Sequence, residues 1–100
     1  MSRFEMNEMD VSVVLHLVDH CIETEARRAL KARQARLLED AMPEDEDMLA
    51  GEMEMLQDFL TSWDFRALRA ADPDLAGGRD LRVRVFRRKE GLVDFEKLAP

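Results

Sequence analysis

His16, Asp19, His20 and Glu23 are the one group in this chain whose types and spacing resemble a reactive site. On a helix, His16 and His20 stand at i and i+4 and share a face, with Glu23 one turn further on. Two imidazoles and a carboxylate so arranged are a donor set for zinc or another divalent ion. The pattern is short of a recognised metal motif. The Glu-x-x-His element of di-iron bundles is absent, and no Cys-x-x-Cys occurs. The polar arc of such a helix also passes through these positions, which accounts for their types without a ligand. We read them as a solvated or hydrogen-bonded stripe and assign neither metal nor cofactor. A helical metal-binding protein using this His-x3-His-x2-Glu face is kept as an alternative.

Other candidate chemistry is thinner. Cys21 is the sole cysteine; within an apolar arc it reads as a small hydrophobe whose thiol is raised by burial. Ser12 and His16 are four apart but bring no third member or oxyanion donor. Gly77-Gly78 is followed by no Lys-Ser/Thr, so it is not a phosphate loop. Arg82, Arg84, Arg87, Arg88 and Lys89 around Phe86 form a basic ribbon of the kind that contacts nucleic acid. The net charge of −7 argues against that partner, because phosphate binding rewards a positive field. No catalytic residue is assigned.

The charge is unevenly placed. Residues 1–62 hold fifteen acids and six bases, and residues 63–100 hold seven acids and nine bases. Glu39 to Asp58 contains nine acids and no base, with Glu44, Asp45, Glu46 and Asp47 consecutive. That block is a candidate surface for a basic partner.

The elements that would position these residues follow from periodicity. No Gly or Pro occurs from Asp10 to Asp40, and Val11, Val14, Leu15, Val18, Ile22, Ala26, Ala29 and Leu37 share a helical face. This predicts a first helix over 8–40, capped by Asn7, with an apolar arc in its first half far wider than the roughly 100° of a surface helix. Pro43 starts a second helix over 43–71, with acids in its first turns, either continuous or broken near Thr61-Ser62, which could cap a short new helix. Its central stripe is Leu49, Met53, Leu56 and Leu60, widened by Met48, Met55 and Phe59. Asp72-Pro73 caps one further turn. From residue 80 the period falls to 2, and Lys89-Glu90-Gly91 reads as a three-residue hairpin loop with Gly91 left-handed. The resulting hairpin over 80–97 sets Val85 opposite Phe95, Arg87 opposite Val93, Arg84 opposite Glu96 and Phe86 opposite Asp94.

One hundred residues make a single domain. The expected class is mainly α: a long antiparallel helical hairpin, a short third helix and a C-terminal β-hairpin. The apolar run at the start of the first helix is too short and too polar to span a bilayer. A single cysteine and an acidic start fit a cytoplasmic setting. The excess apolar arc predicts a homodimer of two hairpins in a four-helix arrangement, with Val11, Val14, Leu15, Val18, Ile22, Met48, Met55 and Phe59 at the contact. The expected function is a non-enzymatic protein–protein interaction or assembly module. A second expectation is an acidic regulator that blocks a basic protein, in the manner of an antitoxin or nucleic-acid mimic.

Overall fold

The computed structural model describes residues 11–18, 21–39, 42–77 and 80–98. The order of elements is β1 (Ser12–Leu17), α1 (Ile22–Glu39), α2 (Pro43–Ser62), α3 (Phe65–Ala71), α4 (Pro73–Ala76), β2 (Leu81–Arg87) and β3 (Val93–Leu98). The three strands form one antiparallel sheet in the order β1-β2-β3. The helices pack on one of its faces, giving a two-layer mixed fold rather than a mainly α one.

The largest correction lies at the start. A single helix over 8–40 does not form: Ser12–Leu17 is a strand, and the helix runs only from Ile22 to Glu39. Asn7, the expected cap, lies outside the described residues. Val11, Val14, Leu15 and Val18 fit a helical face, but Val13, Leu15 and Leu17 also fit a period of two. The burial follows the second pattern, with Val13, Leu15 and Leu17 buried and Val14 and His16 exposed. Valine is stiff at its first side-chain torsion and packs well on a pleated surface, so a valine-rich segment beside a ready hairpin joins the sheet. The apolar segment expected to join two hairpins into four helices is therefore a strand paired with β2, in the register Val13↔Val85 and Leu15↔Val83.

The rest of the helical layer is close to expectation. α1 begins with Glu23 and Glu25 in its first turn and has Arg36 in its last, both favourable for the helix dipole. Pro43 stands at the start of α2, behind an extended Met42 at φ −68° and ψ 149°. The two helices form an antiparallel hairpin tied by Arg33 to Glu52 at 2.7 Å and by Arg36 to Asp45 at 4.0 Å. Gly51 sits inside α2. A Cβ there would meet Val11 at 3.9 Å, an ordinary contact.

The break in the second helical stretch falls at Trp63 and Asp64. Thr61 and Ser62 donate hydrogen bonds back to the Gln57 and Asp58 carbonyls, and Trp63 is extended. Asp64, not Ser62, caps α3 by accepting from the Ala67 N–H. Asp72 caps α4 in the same way, accepting from the Asp74 N–H at 2.9 Å.

The hairpin has the expected register at all four pairs: Val85↔Phe95, Arg87↔Val93, Arg84↔Glu96 and Phe86↔Asp94. Gly91 has φ 88°, the conformation that the three-residue loop requires and that a Cβ disfavours. The core lies between the sheet and α2. Phe59 is fully buried at its centre, with ring centroids 5.1 Å from Phe65, 6.0 Å from Phe95 and 6.1 Å from Trp63. The Trp63 indole N–H donates to the Val93 carbonyl at 3.2 Å and so ties the end of α2 to β3.

Candidate interaction surface

Strand geometry sorts the sheet into two sides. Val13, Leu15, Leu17, Leu81, Val83, Val85, Val93 and Phe95 point toward the helices. Ser12, Val14, His16, Arg82, Arg84, Phe86, Asp94, Glu96 and Leu98 point away, and no described element covers them. On this outer side Val14 is 52% exposed; Val18, just past the end of β1, is 42% exposed. Phe86 and Leu98 are half-buried on the neighbouring strands.

The charges on the outer side are matched in sign. Arg82, Arg84 and Arg88 face Asp80, Asp94 and Glu96, three against three. Most are already joined. Arg84 reaches Glu96 at 3.3 Å, Arg88 reaches Asp94 at 2.7 Å, and His16 pairs with Asp80. The Arg88 guanidinium also lies over the Phe86 ring, 5.4 Å from its centroid. Exposed pairs of this kind are worth roughly 0–1 kcal/mol each. Their effect is to leave a mixed apolar and self-neutralised face rather than a field of one sign. The basic ribbon of the sequence is thus divided, because Arg87 turns to the other side and bonds Asp58 at 2.9 Å.

The interface residues expected from the sequence separate into two groups. Leu15, Ile22, Met55 and Phe59 are buried in the core of this same chain and are not available to a partner. Val14, Val18 and Met48 are exposed, and Val11 is half-buried. Val14 is on the outer sheet face, Val18 just past the end of β1 and Met48 on α2. Arg82, Arg84, Phe86 and Leu98, which complete the face around Val14, were not singled out as a surface with it. The alternation from Leu81 to Phe86 carried that signal, but only once β1 is read as a strand beside it.

The His-x3-His-x2-Glu face is not formed as a helical array. His16 is on β1 with its ring toward Asp80, and Glu23 is on α1, where it accepts from Arg27 at 2.8 Å. His20 lies outside the described residues. Among the described residues, no group of three His, Cys, Asp or Glu is placed to hold a metal ion.

Cys21 departs from expectation in the other direction. It stands just before α1, within a depression of about 460 Å³ lined also by Phe65, Arg66 and Arg69. Burial raises its thiol. A hydrogen bond with the Thr24 hydroxyl at 3.1 Å, N–H groups of Thr24 and Glu23, and the Arg69 charge outweigh that and hold it below its ordinary value.

Of the acidic block, Asp45 is half-buried beside Arg36, and Glu44, Glu46 and Asp47 are exposed at the start of α2. Among the described residues, no helix is long and apolar enough to cross a membrane.

The chain is 43% identical over 83 residues to an uncharacterised protein of Archaeoglobus fulgidus, covering 83% of this chain and 95% of that one. No solved structure matches it. A family model matches residues 9–95, from just before β1 into β3, and the chain belongs to that family.

Proposed function

We propose that this protein is a small non-enzymatic interaction and assembly module, which self-associates through the β1 segment and the uncovered side of its sheet. The observation that carries this reading is the position of Val14 and Val18. Both remain near half-exposed although Val13, Leu15 and Leu17 beside them are buried. A sheet whose two faces differ so sharply has finished its own core and still offers apolar surface. The self-neutralised charges around it favour a protein partner of similar character over a polyanion. The reading involves no cofactor, and a reducing cytoplasmic setting suits the one free thiol.

Sedimentation of the full chain over a wide concentration range tests it. The expected result is a reversible dimer, weakened by an aspartate at Val18. A monomer at every concentration up to about 1 mM would overturn it, since contacts weaker than that scarcely qualify as specific.

The second reading, an acidic regulator of a basic protein, draws support from the exposure of Glu44, Glu46 and Asp47. It is weaker, because Arg33 and Arg36 of α1 already engage Glu52 and Asp45. Its test is salt-sensitive capture of a basic protein that disappears when Glu44, Glu46 and Asp47 are made neutral together. Capture that survives that change would remove it.

A further inference from the structure

We infer that β1 pairs edge to edge with β1 of a second copy, antiparallel about a two-fold axis perpendicular to the sheet, giving a continuous six-stranded sheet. This deepens the self-association reading and rests on it. The evidence is a difference between the two edges. β3, at one edge, carries Asp94, Glu96 and Lys97. Lys97 is turned toward the helical side, where it bonds Asp72 at 3.1 Å and Asp74 at 2.9 Å. Charged residues on an edge, and an inward lysine above all, are the ordinary means by which a sheet prevents further strand addition.

β1, at the other edge, has none of these. Ser12–Leu17 contains no Lys, Arg, Asp, Glu, Pro or Gly. Its one hydrogen-bonded neighbour among the described residues is β2. In a two-neighbour strand all backbone groups are bonded; here alternate N–H and C=O groups of β1 face outward with no described partner.

The strand that fits this edge must bring no carboxylate, ammonium or guanidinium group and must set apolar residues toward the helical side. A second β1 meets both conditions. It sets its own Val13, Leu15 and Leu17 on the helical side and its Val14 beside the first copy's Val14 segment on the outer side. The perpendicular two-fold keeps both outer faces on the same side, so the two Val14 side chains come together there. Such a contact is isologous and closes on itself, which limits growth to a dimer because each β3 edge is guarded. Six residues of pairing cover roughly 20 Å. That is a small contact, and a reversible dimer of about micromolar affinity is expected rather than a permanent one.

Amide hydrogen exchange on the intact chain, above and below the association midpoint found by sedimentation, tests the pairing. Above the midpoint all β1 amides should be slowed, and below it alternate ones should exchange like those of an open edge. Val14→Lys, at a site already half-exposed, should raise the dissociation constant roughly tenfold or more, because it sets two ammonium groups against each other across the axis. A dimer in which alternate β1 amides stay fast overturns edge pairing while leaving contact through the open face intact. Slow β1 amides in a chain that stays monomeric also overturn it, since the edge is then covered from within. A monomer with fast alternate amides at all concentrations overturns both the pairing and the self-association beneath it.

Discussion

Val14 and Leu15 are neighbours on one strand, yet one is about half-exposed and the other buried. The same contrast runs through the whole sheet. On the helical side, Val13, Leu15, Leu17, Val83 and Val85 are sealed beneath α1 and α2 together with Phe59, Leu56 and Met55. On the outer side, apolar residues alternate with charges that neutralise each other across the strands. The inner face therefore carries the stability of a chain with little core to spare, and the outer face is relieved of that duty. The comparison predicts that substitutions on the two sides will differ in kind: inner ones should unfold the protein, and outer ones should leave it folded and alter what it touches.

The hardest strike at the comparison is Phe59→Ala. It removes the ring at the centre of the aromatic cluster, and a loss of about 3–5 kcal/mol is expected in chemical denaturation. A loss below 1 kcal/mol would mean that the inner face is not the seat of stability. Next comes the adjacent pair. Leu15→Ala should cost about 2–4 kcal/mol, whereas Val14→Ala should stay within about 0.5 kcal/mol of the parent. Equal losses at the two positions would erase the distinction between the faces.

A smaller effect sharpens the comparison at the rim of the inner face, where Asp72 caps α4 and bonds Lys97. Asp72→Ala should cost about 1 kcal/mol, in the range of other helix caps. Burial pushes the Asp72 carboxyl up. The hydrogen bond from Lys97, the Asp74 N–H and the Lys97 charge together outweigh that and hold it below its ordinary value. Its folded-state pKa is thus lower than its unfolded one. The stabilisation is complete above the usual carboxylate range, near pH 4, and is lost as pH falls through the depressed value. Asp72→Asn keeps a capping group and loses the charge, so its deficit should be present at neutral pH and fade on acidification. Lys97 is raised by its hydrogen bonds to Asp74 and Asp72. It behaves in mirror image, contributing fully below the usual lysine range and losing that contribution as pH rises through its raised value. The smallest effect belongs to the outer side. Glu96→Gln breaks an exposed pair with Arg84 and should change stability by less than about 0.5 kcal/mol.

How much of this was legible in the sequence depended on whether a local signal had a competitor. Gly91 preceded by Lys89-Glu90 dictates one loop geometry, and that loop sets every pair of the β2–β3 ladder. Pro43 with acids behind it dictates a helix start, and α2 begins there. Nothing equally local marks the boundary between Val18 and Ile22. The run from Val11 to Ile22 lacks Gly and Pro, and its valines satisfy the helical and the strand period together. The choice was made by β2, some 65 residues later, which offered a free side to pair with. The choice of strand over helix decides the candidate surface. On a helix, Val14, Leu15, Val18 and Ile22 stand together, but the strand sends Leu15 into the core and leaves Val14 outside. Cys21 differs from expectation for the same reason. Placed mid-helix it is an inert apolar filler, whereas at the start of α1 it meets Thr24 and backbone N–H groups that favour its thiolate.

Trp63 gives the molecule a built-in optical gauge. It is the sole tryptophan, and it sits where the helical layer touches the last strand, its indole bonded to Val93 and stacked edge-on to Phe95 at 5.3 Å. Any event that lifts the hairpin from α2 must wet that ring and shift its emission to longer wavelength. A partner meeting the far side of the sheet should leave the colour untouched, so fluorescence can tell undocking from association without a label.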